Sequence, residues 1–176
     1  PYETSKACAD MLAQMYTQYY SVPIAIGRFV NIYGPGDEKE RIVPRTIKLI
    51  LQSKNPEIFN DAVTRDYMYI DDAVSGYVLL AEKIPELTKN HGNIIYNFGS
   101  GTHYSSKTVI ETILRLMDRP QIKPVYITGD RKQEVINQYV SIEKIQNTLG
   151  WKPQYSLEEG LKKTIKWWLE KERINM

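Results

Sequence analysis

Apolar residues recur along this chain in two ways, at helical spacing and in short unbroken runs, and the alternation of the two predicts an α/β molecule. The stretch 7–16 places Ala, Met and Leu at helical spacing, and Pro23 stops any helix. Residues 24–30 are nearly all apolar, as a strand buried on both faces would be, and they end in a polar turn over 31–37. A second helix is expected over 43–52, where Pro44 suits a first turn, and Asn55-Pro56 ends it. Short strands are expected at 58–60 and 67–70. Asp71-Asp72 closes the second of these, with one carboxylate expected to cap a helix over 73–83. A strand at 94–98, a helix at 106–117 and a last strand at 124–127 continue the pattern. Two helices close the chain, 141–149 with Ser141 as cap and 156–170, where Ser156 and Glu159 have the spacing of a capping box. Trp151, Trp167 and Trp168 are expected to pack together around this ending, since no arginines interleave them for base stacking.

Composition narrows the function classes. With 176 residues the chain is long enough for one domain with a real core. A net charge of +2 with scattered Lys and Arg offers no basic stripe, so no nucleic-acid partner is expected. No apolar run approaches the roughly 20 residues that span a bilayer, and no stretch reads as a signal peptide, so no membrane partner is expected. The single Cys8 cannot form an internal disulfide and fits a cytoplasmic location. On a helix beside two alanines it reads as a packing residue. His91 and His103 are isolated, and no metal site is expected; the paired aspartates read as a cap in preference to a metal ligand.

The candidate chemistry lies at the start. Tyr2 and Lys6 are four residues apart, so on a helix they share one face. An ammonium beside a phenol favours the phenolate, which lets a tyrosine act as acid or base near neutrality. The spacing gains weight from its surroundings: a helix, then a buried strand with polar residues at its carboxyl end, the arrangement in which open α/β sheets bind ligands.

The runs Tyr2-Glu3-Thr4-Ser5-Lys6, Arg28-Phe29-Val30-Asn31-Ile32-Tyr33-Gly34-Pro35-Gly36, Arg41-Ile42-Val43-Pro44, Thr64-Arg65-Asp66-Tyr67-Met68-Tyr69-Ile70-Asp71-Asp72-Ala73 and Leu149-Gly150-Trp151-Lys152-Pro153 occur in this order. Through them the chain resembles the carboxyl-terminal half of an extended short-chain dehydrogenase/reductase, the NAD-dependent nucleotide-sugar epimerases and dehydratases. Arg41-Ile42-Val43-Pro44 and Glu134-Val135-Ile136-Asn137-Gln138-Tyr139 are most similar to the CDP-glucose 4,6-dehydratases. The resemblance implies a Rossmann-like fold with a small substrate lobe, divided as 1–35 for the end of the Rossmann domain and 36–176 mainly for the lobe. One parallel strand of the central sheet is expected within the chain, with apolar surface left open where the amino-terminal Rossmann half would pack.

That missing half would carry the phosphate-cradling glycines. The nearest candidate here, Gly99-Ser100-Gly101, has Tyr104 in place of a third glycine and reads as a tight turn with Ser105 or Ser106 capping the next helix. The chain alone is therefore expected to be inactive and to bind NAD poorly. For the intact enzyme the resemblance implies that Tyr2 takes the proton of the sugar 4-hydroxyl, while Lys6 tunes the phenol and holds the nicotinamide ribose. It places Val30 beside the nicotinamide, Asn31 on the substrate diphosphate and Arg65 on the nucleotide end. Where the family often has Arg-Pro-Gly-Asp this chain has Ile127-Thr128-Gly129-Asp130, and the resemblance implies that Arg131, just after the Gly-Asp pair, supplies the phosphate charge from a shifted position. The expected reaction is 4,6-dehydration of a nucleoside diphosphate hexose, with C4 epimerisation as the alternative; a homodimer or association with the missing half is the expected partner. A binding-only module or one polypeptide of a split enzyme also fits the same residues.

Overall fold

The computed structural model describes residues 1–90, 94–127 and 135–174. Its elements run in the order α1 (Tyr2–Tyr20), β1 (Ile26–Phe29), β2 (Asn31–Tyr33), α2 (Ile42–Leu51), β3 (Glu57–Ile58), β4 (Thr64–Arg65), β5 (Tyr67–Tyr69), α3 (Ile70–Leu87), β6 (Ile95–Phe98), β7 (Tyr104–Ser105), α4 (Ser106–Leu116), β8 (Val125–Tyr126), β9 (Asn137–Gln138), α5 (Glu143–Leu149) and α6 (Leu157–Ile174). Strand β1 pairs in parallel with β6, Ile26 opposite Ile95, and β3 pairs in parallel with β8. The sheet strand at 26–29 is thus one of a parallel pair within this chain, where a single such strand was expected. The two strands are of equal length and satisfy each other's backbone groups, but β1 is not buried on both faces as expected: Arg28 is exposed and Ile26, Gly27 and Phe29 are half-buried.

The expected polar turn over 31–37 is also corrected, because its first three residues form β2. Val30 N–H still donates to Phe98 at 3.2 Å, whereas Asn31 N–H donates to Asp66 at 3.3 Å. The chain therefore exchanges one strand partner for another between adjacent residues. Beyond that point β2 pairs in parallel with β5, Asn31 opposite Tyr67.

Strand β5 stands between two cores. Tyr67 and Tyr69 belong to the first, with Ile47 and Ile50 of α2, Ile110 and Ile113 of α4, and Leu161 and Trp168 of α6. Met68 belongs to the second, with Leu80 of α3, Tyr96 and Phe98 of β6, Ile145 of α5 and Trp151. Successive strand residues point to opposite faces, so three residues serve both sides. Each fully buried aliphatic or aromatic side chain contributes about 1.5–3 kcal/mol. The three tryptophans accordingly do not gather: Trp167 packs edge-on to Trp168 at 5.3 Å, while Trp151 lies edge-on to Phe98 at 4.9 Å in the other core. Helix α6 reaches the first core through Gly160, where a Cβ would run into the Tyr33 hydroxyl. That hydroxyl donates to the Leu157 carbonyl at 3.1 Å.

The caps separate correct expectations from wrong ones. Ser156 Oγ accepts from Glu159 N–H at 3.3 Å and Glu159 Oε2 accepts from Ser156 N–H at 2.9 Å, a reciprocal capping box. Ser105 is the residue that caps α4, accepting from Thr108 N–H at 3.1 Å. Neither aspartate of Asp71-Asp72 caps α3, which begins three residues earlier than expected, at Ile70, with Tyr69 in the cap position. Asp72 instead lies buried inside the first turn and accepts from the N–H groups of Gln154 (2.8 Å) and Tyr155 (3.2 Å). A buried carboxylate requires donors, and the loop before α6 supplies them. No helix of the described residues is long and apolar enough to cross a membrane.

Candidate active site

Helix α1 presents Tyr2, Lys6 and Asp10 along one face, each one turn beyond the last. These residues line one side of an open cleft of about 1150 Å³. Across it stand Val30 and Asn31, at the junction where β1 gives way to β2, together with Tyr33, Arg41, Tyr67 and Gln138. The Lys6 ammonium lies 5.7 Å from the centre of the Tyr2 ring. Tyr2 itself is 68% exposed. Four of the residues singled out from the sequence, Tyr2, Lys6, Val30 and Asn31, therefore share one cavity.

Arg65 is not among the lining residues. It sits on β4, where its Nη1 donates to the carbonyls of Thr64 (2.8 Å) and Ile136 (3.3 Å), and its register partner Gln138 reaches the cleft. Asn31 spends one amide N–H on the Asp66 carbonyl at 3.2 Å; the amide has a second. Arg131, the Thr128-Gly129-Asp130 run and His91 lie outside the described residues. His103 stacks on Tyr139 at 5.0 Å. Among the described residues no group of three His, Cys, Asp or Glu could hold a metal ion.

Burial sorts the tyrosines of the cleft. It pushes Tyr67 up to about 12 and Tyr33 above the ordinary tyrosine range, so both remain neutral phenols. They can donate a hydrogen bond but cannot serve as a base near neutrality. Tyr2 is the cleft tyrosine that combines exposure with an adjacent cation.

The Gly99-Ser100-Gly101 turn has a structural task. Ser100 donates both its N–H (2.9 Å) and its hydroxyl (2.7 Å) to Oδ1 of Asp66, which is fully buried. Gly99 must lack a side chain because a Cβ there would meet Asp66 Oδ2. Burial raises the Asp66 pKa, and the Ser100 donors partly offset that. A turn that gives its N–H to a carboxyl is not offering it to a pyrophosphate, which agrees with the tight-turn reading.

Arg41, Tyr67 and Gln138 were missed as cleft residues. All three fell inside motif runs with no role attached. Tyr67 and Gln138 come to the cleft through the β2–β5 and β4–β9 pairings, which local pattern does not encode, whereas Arg41 stands at the start of α2.

A family model described as GDP-mannose 4,6 dehydratase matches residues 1–164. The chain belongs to this family. Among its relatives, dTDP-D-glucose 4,6-dehydratase of Mus musculus is 30% identical, with 96% of this chain and 47% of the relative aligned. UDP-glucuronate 4-epimerase of Thermodesulfobacterium geofontis is 32% identical, over 100% of this chain and 52% of the relative. The crystal structure of dTDP-glucose 4,6-dehydratase from Bacillus anthracis in complex with NAD superposes with a TM-score of 0.83 at 27% identity, covering 98% of this chain and 53% of that one. The family's Rossmann-like α/β fold is thus present, and the chain spans about half the length of the curated relatives it matches.

Proposed function

We propose that this chain is part of an NAD-dependent nucleotide-sugar 4,6-dehydratase, acting on a nucleoside diphosphate hexose to give a 4-keto-6-deoxy sugar. The observation that carries this reading is the shared cleft, with Tyr2 and Lys6 on one wall and Val30 and Asn31 on the other. The residues fit the nicotinamide end of the cofactor: an exposed phenol, an ammonium at its ring face and an apolar residue opposite. Bound there, NAD supplies the acceptor for the hydride that leaves sugar C4.

The chain's own groups then have separate tasks. Tyr2 accepts the proton of the 4-hydroxyl, and Lys6 places positive charge on that base while holding ribose hydroxyls. Val30 packs against the nicotinamide. Asn31 donates its second amide N–H to the substrate diphosphate, Arg65 grips the nucleotide end with a planar fork, and Arg131 adds phosphate charge. Residues 1–35 belong to the cofactor side and 36–176 mainly to the substrate lobe. The exposed residues of α1, Met11, Leu12, Tyr16 and Tyr19, support association with the remainder of a relative-sized protein or with a second copy.

C4 epimerisation is the second reading, favoured by the 32% identity to a 4-epimerase. Both reactions begin with the same proton and hydride removal. The test is turnover of CDP-, dTDP- and UDP-hexoses by the protein as its gene encodes it, followed through the alkaline absorbance of a 4-keto sugar. A C4 epimer with no keto sugar overturns the dehydratase. Tyr2→Phe should lower kcat by about 10²- to 10⁴-fold with nucleotide-sugar binding nearly unchanged; an unaltered kcat removes Tyr2 from the mechanism.

A further inference from the structure

Helix α1 carries the proposed base, and β1 leads to Val30 and Asn31 on the opposite wall of the cleft. The structure contains a directional link at the right place. Asp10 accepts two hydrogen bonds from Arg28 of β1, Oδ2 from Nε at 2.8 Å and Oδ1 from Nη2 at 2.9 Å. Gln14, one turn further along α1, braces the same carboxylate with an amide donor at 2.5 Å. The Asp10 side chain is 17% exposed and Arg28 50%.

The geometry points to Asp10 and Arg28 as positioning residues that set the register of the Tyr2–Lys6 face against the strand leading to Val30 and Asn31. This inference rests on the function proposed above. Asp10 continues the face of Tyr2 and Lys6 by one more turn, and Arg28 on β1 precedes Val30, just past the end of that strand, by two residues. A helix slipped by one residue turns its side chains by about 100° and moves them about 1.5 Å, which would take the phenol off the cleft. A single charge contact tolerates such a slip, whereas a planar fork on a carboxylate does not. An ion pair this exposed contributes little to stability, so its value lies in orientation. The Arg28 hydrogen bonds also hold the Asp10 carboxyl below its ordinary range, keeping it charged.

The test uses the gene-encoded protein, with Asp10→Ala and Arg28→Lys compared to the parent. Both variants should lose about 10- to 100-fold in kcat, since misplacement near 1 Å costs up to about that much. KM for the nucleotide sugar should stay within about threefold and the melting temperature should hold. Arg28→Lys keeps the charge and loses the fork, so parental kcat in that variant overturns the bidentate register. A kcat loss that merely follows a lowered melting temperature also overturns it. Amide hydrogen exchange gives a readout free of activity: Asp10→Ala should speed exchange across α1 while β1 and β6 keep their protection, and unchanged exchange across α1 overturns the inference. If the parent turns over no nucleotide sugar, the functional reading fails and exchange alone decides the tether.

Discussion

Helices α1 and α2 are both mixed apolar and polar segments close to the cleft, yet α2 buries Val43, Pro44, Thr46, Ile47 and Ile50 while α1 buries nothing. In α2 the apolar positions 43, 47 and 50 fall on one face and meet Ile110 and Ile113 of α4 in the first core. In α1 the equivalent large residues, Met11, Leu12, Tyr16 and Tyr19, remain exposed. Hydrophobic content alone therefore does not decide burial; a facing surface does. The contrast also places the proposed chemistry on the helix that has fewer buried partners among the described residues.

The contrast can be broken first in the well-packed region. Ile113→Ala, at a fully buried position, should cost about 2–5 kcal/mol in urea unfolding. A cost below about 1 kcal/mol would mean that the first core is no tighter than α1. Smaller than this is the expected effect of Asp66→Asn, and it depends on pH. Because burial raises the folded-state pKa of Asp66, its contribution to stability is greatest below the unfolded value near 4 and falls as pH rises through the folded value. Asp66→Asn should thus gain relative to the parent as pH rises above the unfolded value near 4, as urea midpoints would show; a constant difference would refute the burial argument. Ser156→Ala removes one half of the capping box and should cost about 1 kcal/mol by thermal unfolding. Smallest of all, Leu12→Ser in the 176-residue chain should change stability by less than about 0.5 kcal/mol. Repeating it in the gene-encoded protein sharpens the comparison, since a larger cost there would show that this face of α1 is covered.

Much of this was legible in residue order. The strand at 95–98, the α4 helix and the 156/159 box lie within a residue or two of expectation, because each is specified by local periodicity or by a cap. Tyr2, Lys6, Val30 and Asn31 share a cleft because helix and strand succeed one another directly in sequence. What was misread depends on distant partners. Asp72 looks like a cap until residues 154–155 arrive to use its carboxylate, and Asn31 looks like a turn until β5 offers a second strand edge. Gln138 joined the cleft by the same route, through a pairing between segments far apart in the chain.

The hydrogen bonds of Asp72 and Tyr33 also bear on how the molecule is made. They bridge 82 and 124 residues respectively, and both end at the loop and first turn of α6. Long loops of this kind must close before their contacts repay the lost entropy, so docking of α6 belongs late in folding. On the ribosome, Tyr33 and the faces of α2 and α4 emerge well before Leu161 and Trp168 can cover them. The first core therefore passes through synthesis as an open apolar groove, the period in which a chaperone has most to protect.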